Sequence, residues 1–155
     1  MSNRHTYKTH LIWDGNLGDG TSTYAGYGRG HRILIDGKPE LRGSADPMFR
    51  GEADTHNPED LFLAAVSSCH MLSYLALCAR NSINVLDYRD DATGELVFDA
   101  RGGGKFETVT LRPIVTIANA ADNDRAMELH DKAHELCYIA GSCSVPIHHQ
   151  AEIRT

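Results

Sequence analysis

The chain has 155 residues, of which 41% are hydrophobic and 23% charged, and its formal net charge is −6. These fractions are typical of a folded globular protein, and this length is enough for one domain with a sizeable core. An acidic balance without any run of Lys or Arg argues against nucleic-acid binding. We therefore expect residues 1–155 to form a single domain with no nucleic-acid partner.

The N-terminal segment MSNRHTYKTH has no apolar core of the kind found in secretory signals. The longest apolar stretch, residues 57–80, is interrupted by Ser, Cys and His and is expected to be too short and too polar for a membrane span. These features predict a cytoplasmic protein without a membrane partner. A reducing compartment disfavours structural disulfides, so the four cysteines are expected to be buried or reactive thiols.

The N-terminal region predicts short strands separated by turns. Segments 9–13 (THLIW), 22–27 (STYAGY) and 32–37 (RILIDG) are rich in aromatic or β-branched residues and are separated by Gly and Asp. Residues 40–61 change to Gly, Pro, Asp and charged residues, which predicts a long loop.

A first helix is expected to begin after Asn57, which is a good N-cap, with Pro58 at its first position and Glu59 and Asp60 in its first turn. It continues to about Arg80 and is apolar on nearly every face. Such a helix is expected to be enclosed by protein all round, which in a chain of this size favours a partner subunit.

The C-terminal half predicts more strands and one more helix. Residues 83–119 alternate partly and have a Gly-rich break at 102–104, which predicts a hairpin of two long strands, and residues 145–155 fit a last strand. The second helix is expected from Asp122 or Asn123 to Gly141. Its expected buried stripe is Leu129, Ala133, Leu136, Cys137 and Ala140. The order strands, helix, strands, helix, strand predicts an α+β fold.

Neither phosphate nor metal sites are expected. The segments GYGRGH and RGGGK lack the full spacing of a dinucleotide or phosphate loop and are expected to be turns. His130 and His134 are four residues apart and could share a helix face. However, Tyr138 occupies the position of the second histidine in a zinc-protease motif. Both histidines are expected to lie half-exposed beside the buried stripe.

The cysteines differ in their expected surroundings. Cys69 and Cys78 are about half a helical turn out of phase, so they cannot form a local pair. Cys137 lies on the stripe of the second helix, and Cys143 follows in a loop. A buried inert thiol is the default for each. Against this, Cys69 lies among polar side chains within an apolar helix. Burial of polar side chains costs free energy, so their presence here favours a functional role for this part of the helix. Those neighbours are Ser67, Ser68 and His70.

The segment NPEDLFLAAVSSCHM resembles the helix signature of the OsmC/Ohr family, the osmotically inducible and organic-hydroperoxide-resistance proteins. In that family a reactive cysteine follows ten residues after the glutamate of an Asn-Pro-Glu helix start, which matches Glu59 and Cys69. A second family cysteine on a later helix matches Cys137 in AHELCYIAGS. The element order agrees across nearly the whole chain. The resemblance implies an α+β OsmC/Ohr-like fold, with antiparallel sheets around two central helices in an intertwined homodimer.

The resemblance also implies a thiol peroxidase that uses no cofactor and no metal. In the family the first cysteine attacks the peroxide O–O bond and becomes a sulfenic acid, and the second condenses with it as a disulfide, which a dithiol reduces. Cys69 is then the peroxidatic and Cys137 the resolving cysteine. The expected substrate is a hydroperoxide, with organic hydroperoxides favoured by an apolar wall from the helices.

A catalytic arginine and carboxylate complete the set that the resemblance implies, because an arginine supplies positive charge and a carboxylate holds its guanidinium. Glu59 matches the carboxylate, but ten helical residues span about 15 Å, so it is expected to act on the partner's site. The first turn, DGNLGDG, lacks the arginine of the organic-hydroperoxide branch. Arg50 matches the arginine of the osmotically inducible branch to within one position, and Arg29 is the reserve.

Two departures and two alternatives remain. His70 stands where better-known members have an aromatic residue, and Cys143 could compete with Cys137 as the resolving thiol. One alternative is an acyl-transfer enzyme in which Cys69 acts with a histidine base, and there Cys137 is dispensable. The other is a non-catalytic protein that binds an apolar ligand in the dimer cleft.

Overall fold

The structure is a computed structural model that describes residues 3–155. It contains nine strands and two α-helices within this range, together with three single 3₁₀ turns. In chain order the elements are β1 (His10–Trp13), β2 (His31–Leu34), β3 (Leu41–Gly43), α1 (Pro58–Arg80), β4 (Val85–Asp90), β5 (Thr93–Phe98), β6 (Gly104–Leu111), β7 (Pro113–Ile117), α2 (Asn123–Leu136), β8 (Ile147–His149) and β9 (Glu152–Arg154). The chain divides into two compact units, one up to Leu61 and one from Phe62 onward.

The first unit contains an antiparallel sheet of order β1-β2-β3. Two of its three expected strands are found, but segment 22–27 forms turns instead. The guanidinium of Arg29 explains this difference. It lies over the rings of Tyr24 and Tyr27 and donates hydrogen bonds to both of their carbonyl oxygens, 2.6 Å away in the case of Tyr24. Those carbonyls are therefore satisfied without a neighbouring strand.

The expected loop at residues 40–61 has more structure than its composition suggests. It contains β3 and a 3₁₀ turn at Pro47–Phe49. The Asp46 side chain accepts a hydrogen bond from the backbone N–H of Met48 and so begins that turn. Arg50 ends it in the left-handed region, at φ 66°.

Helix α1 has the expected bounds. The Asn57 side chain accepts a hydrogen bond from the backbone N–H of Asp60 at 2.8 Å, and the Asp60 carboxylate accepts one from the backbone N–H of Asn57 at 3.3 Å. This reciprocal pair satisfies donors that the first turn of a helix leaves free. The helix then continues unbroken to Arg80.

The expectation that α1 is enclosed on all faces is wrong for the single chain. Its buried residues recur every four positions and define one face: Val66, His70, Tyr74 and Cys78. Leu72, on the opposite side, is 63% exposed. The helix is also long and apolar enough, by length and composition, to cross a bilayer, contrary to the sequence-based expectation. The core helix of a globular domain meets the same test.

The second unit contains two three-stranded sheets of order β4-β7-β9 and β5-β6-β8. The first pair of strands in each sheet is antiparallel, but β7 with β9 and β6 with β8 are parallel, so the sheets are mixed rather than antiparallel. The segment predicted as a two-stranded hairpin contains four strands, β4 to β7, and the segment predicted as one last strand contains two, β8 and β9. Arg112 separates β6 from β7, because its backbone N–H donates to the Asp90 carboxylate at 2.6 Å instead of to a strand.

Helix α1 contributes to two cores in this unit. Val66 packs with Val109 and Leu111 of β6, whereas Tyr74 and Cys78 pack in a larger cluster. The other buried members of that cluster are Ile83, Val115, Ile117, Ala126, Leu129 and Ala133. The α1 face that holds His70 therefore lies between the two cores.

Helix α2 is shorter than predicted. It ends at Leu136, Cys137 follows in an extended conformation, and a separate 3₁₀ turn at Ala140–Ser142 comes next. The predicted stripe is correct for three of its members, Leu129, Ala133 and Cys137, which are at most 2% exposed. It is wrong for Leu136, which is 44% exposed because it lies on the outer face of the last turn.

Candidate active site

Cys69 and Cys137 lie next to each other in the second unit. Cys69 projects from the middle of α1, and Cys137 is the residue directly after α2. The Cys69 thiol raises the pKa of the Cys137 thiol, which shows that the two side chains are close together, and both thiols are free. The structure thus brings together the two cysteines that the sequence singles out, although they are 68 positions apart.

The two thiols have different environments. Cys69 is partly exposed, whereas Cys137 is 2% exposed. Burial and, to a smaller extent, the neighbouring Cys69 thiol together raise the pKa of the Cys137 thiol to about 11, against a smaller opposing effect of the Ala140 N–H at 3.4 Å. A buried thiol of this kind stays protonated at neutral pH. Of the two, Cys69 is therefore the better placed to meet a solvent-borne reactant.

The serines beside Cys69 have structural hydrogen bonds. The Ser67 hydroxyl donates to the Asp90 carboxylate at 2.5 Å, and the other oxygen of that carboxylate accepts the Arg112 N–H. The Ser68 hydroxyl donates back to the Ala64 carbonyl at 2.7 Å. The hydroxyls of Ser67 and Ser68 are thus both satisfied, and Ser67 ties α1 to the end of β4.

His70 is buried and pairs with His130 of α2. The His70 Nε2 lies 3.1 Å from the His130 Nδ1, the ring centroids are 5.4 Å apart, and the ring planes are within 5° of parallel. The centroid separation equals the N···N distance plus one ring radius at each end. The two imidazoles are therefore nearly coplanar and share a straight hydrogen bond, end to end rather than face to face.

The burial of His130 corrects the expectation of a half-exposed surface residue; His134 is partly exposed, as expected. The spacing contains a signal for this. His130 precedes Cys137 by seven residues, or about two turns, and so shares the face on which Cys137 is buried. The ring of His130 also stacks on Tyr74, with centroids 3.9 Å apart.

A third histidine, His149 of β8, lies in the same cluster, and no signal in the sequence predicts it. Its centroid lies 5.8 Å from that of His70 and 5.7 Å from that of His130, and its Nε2 lies 2.9 Å from the Asp131 carboxylate. Burial lowers the pKa of His70 to about 4 and that of His130 to about 3, with smaller effects of the neighbouring imidazoles. Across residues 3–155, no group of three or more His, Cys, Asp or Glu side chains is arranged to hold a metal ion.

The other two cysteines differ from this pair. Cys78 is fully buried beside Tyr74, and burial raises the pKa of its thiol, which suits an inert core residue. Cys143 is partly exposed, and its thiol donates a long hydrogen bond to the Ala140 carbonyl at 3.6 Å.

The candidate arginines lie in the first unit. Arg50 is exposed at the end of its 3₁₀ turn, and Arg29 is engaged by the tyrosines of the turn region. Glu59 is partly buried in the first turn of α1. Since α1 is continuous, Glu59 and Cys69 are separated by about 15 Å along its axis.

The chain is similar to known proteins in both sequence and fold. A family model described as OsmC-like protein matches residues 51–151. The fold is similar to that of an OsmC-like protein of unknown function from Vibrio cholerae O1, with a TM-score of 0.83 and 28% identity over 96% of this chain and 99% of that one. Among curated proteins, no relative matches the sequence.

Two more distant structures carry functional names. An organic hydroperoxide resistance protein from Elizabethkingia anophelis has a TM-score of 0.71 and 19% identity, over 100% of this chain and 99% of that one. An organic hydroperoxide resistance protein of Bacillus subtilis has a TM-score of 0.62 and 21% identity, over 97% and 98%. At these identities the similarity is one of fold, a mixed α+β arrangement of sheets and two helices.

Proposed function

Because the chain belongs to the OsmC-like protein family, we propose that it is a cytoplasmic thiol peroxidase that reduces hydroperoxides without a cofactor. Cys69 is the peroxidatic cysteine and Cys137 the resolving one, and a dithiol restores both thiols. The observation that carries the proposal is that a partly exposed thiol on α1 lies close to a buried thiol directly after α2.

The difference in burial assigns the two roles. The attacking group must be a thiolate, so the protonated Cys137 is unsuited to the first step. The Cys69 thiolate attacks one peroxide oxygen, the O–O bond breaks, and the alcohol leaves after taking up a proton. Cys69 then carries a sulfenic acid. The Cys137 sulfur attacks the sulfur of that acid, water leaves, and a Cys69–Cys137 disulfide forms. Their contact favours this second step over further oxidation.

Arg50 and Glu59 are proposed to support the first step. A guanidinium can stabilise a thiolate and hydrogen-bond peroxide oxygens, and a carboxylate can hold it in place. Because α1 is continuous, Glu59 cannot reach the Cys69 of its own helix. It is therefore proposed to act at the site of a second subunit, in a homodimer.

The exposed side of α1 supports the homodimer. Ala64, Ser68, Leu72 and Ala79 are exposed and recur at helical spacing on one face. Small and apolar residues on an unpartnered helix face are typical of an interface.

Mixing two inactive variants tests the shared site. In a mixed dimer of Glu59→Gln and Cys69→Ser subunits, one site combines an intact Cys69 with the intact Glu59 of the other chain. Activity should return to roughly a quarter of the parent level when subunits exchange at random. If Glu59 served its own chain, no site in the mixture would be complete and no activity would return. A monomer with full activity would also contradict the proposal.

Thiol titration tests the peroxidase reaction itself. After one equivalent of cumene hydroperoxide, the reduced parent should lose two thiols quickly, Cys69→Ser should lose none, and Cys137→Ser should accumulate a sulfenic acid. Cys78→Ala, which alters a buried thiol away from the pair, is the matched control and should behave like the parent. Survival of the parent's thiols would refute the function.

The choice between organic and inorganic peroxide is a finer part of the proposal. Apolar residues of α1 are expected to line the approach to Cys69 and to favour organic hydroperoxides. Rates for cumene hydroperoxide and hydrogen peroxide, measured side by side, would test this, and a clear preference for hydrogen peroxide would contradict it.

The alternatives predict different results. For acyl transfer, Cys69 would need a histidine base, but His70 is bonded to His130 through one nitrogen, and its other nitrogen has no hydrogen-bond partner among the described residues. A non-catalytic binder of an apolar ligand would show no peroxide-driven thiol loss.

A further inference from the structure

Cys137 and Cys143 lie on two sides of one residue. The Cys137 sulfur accepts a hydrogen bond from the Ala140 N–H at 3.4 Å, and the Cys143 thiol donates to the Ala140 carbonyl at 3.6 Å. Since the nitrogen and oxygen of one residue are only about 3 Å apart, the two sulfurs lie within about 10 Å of each other. A third thiol therefore lies within about 10 Å of the Cys137 sulfur.

Exposure separates Cys143 from Cys137. Cys137 is 2% exposed, so an external thiolate cannot approach its sulfur. Cys143 is partly exposed and lies between Ser142 and Ser144, which are both exposed. A reductant in solution can therefore reach Cys143 more easily than Cys137.

We propose that Cys143 is a relay thiol that takes over the disulfide from the Cys69–Cys137 pair and presents it to a dithiol, which reduces it. This inference rests on the proposed peroxidase function. The Cys143 thiolate attacks the Cys137 sulfur of the Cys69–Cys137 disulfide, that S–S bond breaks, and Cys69 leaves as a thiolate. A Cys137–Cys143 disulfide forms, with no net oxidation or reduction. Cys69 is then ready for the next peroxide.

The direction of this exchange follows from which sulfur leaves. Attack on the Cys69 sulfur would expel Cys137, whose thiol pKa is raised to about 11, and a thiol of high pKa is a poor leaving group. Attack on the Cys137 sulfur expels Cys69 instead and defers this cost to the final reduction. There the dithiol attacks the partly exposed Cys143 sulfur and expels Cys137, which takes up a proton. The second thiol of the dithiol then closes its own disulfide and releases Cys143.

The chain between the two cysteines can accommodate the new bond by a small change. Five residues separate them, and the segment is held by single turns, with the Gly141 N–H bonded to the Cys137 carbonyl and the Cys143 N–H to the Ala140 carbonyl at 3.4 Å. These bonds lie after the end of α2 at Leu136, so the proposed disulfide requires a rearrangement of residues 137–143 only.

Tryptic mapping of the oxidised protein separates the two disulfides. Cleavage after Arg50, Arg80, Lys132 and Arg154 places Cys69 in peptide 51–80 and both Cys137 and Cys143 in peptide 133–154. A Cys69–Cys137 disulfide therefore links two peptides, whereas a Cys137–Cys143 disulfide stays within one. After one equivalent of cumene hydroperoxide and acid quenching at increasing times, the linked pair should appear first and then convert to the internal disulfide.

Cys143→Ser tests the relay in turnover. With dithiothreitol as the reductant, this variant should lose thiols to one equivalent of peroxide as fast as the parent but turn over at least tenfold more slowly. Ser144→Ala, at a neighbouring exposed position, should match the parent. If peroxide consumes thiols and Cys143→Ser turns over normally, or if no internal disulfide forms, the relay is refuted while the peroxidase stands. If the parent does not react with peroxide, the proposed function fails first.

Discussion

Two neighbouring residues of α1 each reach a residue of the α2 region, with opposite consequences. Cys69 meets Cys137, one thiol partly exposed and the other buried. His70 meets His130, and both imidazoles are at most 1% exposed. The two thiols differ in burial. Cys69 is accessible to a reactant, whereas the buried Cys137 stays protonated at neutral pH. The imidazole pair is symmetric in burial and shares one hydrogen bond, so it joins the helices. The proposed roles of the two thiols therefore rest on their unequal burial.

Removal of the exposed thiol gives the largest expected effect. Cys69→Ser should lower the second-order rate of cumene hydroperoxide consumption by roughly 10³-fold or more, because the nucleophile itself is lost. Cys137→Ser should keep the first turnover. Stopped-flow measurement with the reduced proteins would check both, and a Cys137→Ser variant as slow as Cys69→Ser would contradict the assigned roles.

Acid should lower the stability of the protein through the imidazole pair of His70 and His130. The folded-state pKa values of about 4 for His70 and about 3 for His130 lie below the unfolded value of about 6.5. Unfolding therefore takes up protons once the pH falls below 6.5, so stability is complete above this value and declines toward pH 4. For His70 alone the loss is on the order of 3 kcal/mol.

Urea unfolding at pH 7.5 and pH 5 would measure this loss. The double variant His70→Phe/His130→Phe is the control, and it should lose distinctly less stability between the two values. The partly exposed His149 and His134 and the carboxylate of Asp131 face the same cluster and remain in the control, so their contribution is subtracted. Equal losses in parent and control would contradict the buried neutral pair.

Breaking the imidazole pair from one side should have a smaller effect. His130→Phe keeps the ring that stacks on Tyr74 but leaves His70 without its partner in the core. We expect a loss of about 1–3 kcal/mol in the free energy of unfolding, measured by urea at pH 7.5. The double variant should lose less than the sum of the two single variants, and strict additivity would contradict a direct bond.

The start of α1 should give the smallest effect. Asn57→Ala removes the side-chain hydrogen bond to the Asp60 N–H and should cost about 1 kcal/mol of stability. Urea unfolding of the parent and of Asn57→Ala at pH 7.5 would measure this loss, and equal stability of the two proteins would contradict the role of the cap.

The sequence predicts those features that depend on local signals. The cap at Asn57 fixes the start of α1, and the spacing from Glu59 to Cys69 carries the family resemblance, which the match over residues 51–151 confirms. The separation of β6 from β7 depends on the bond between Arg112 and Asp90, which alternation cannot reveal. The burial of His130 depends on His70, 60 positions away. The roles of Cys69, Cys137, Glu59 and Arg50 remain predictions.

Trapping of the sulfenic acid is the most direct test of the central claim that Cys69 is the peroxidatic thiol. Cys137→Ser protein would be treated with one equivalent of cumene hydroperoxide in the presence of dimedone and mapped by trypsin and fragmentation. We predict a single adduct on Cys69 within peptide 51–80. An adduct on Cys143 or Cys78 in place of Cys69, or none at all, would contradict the account.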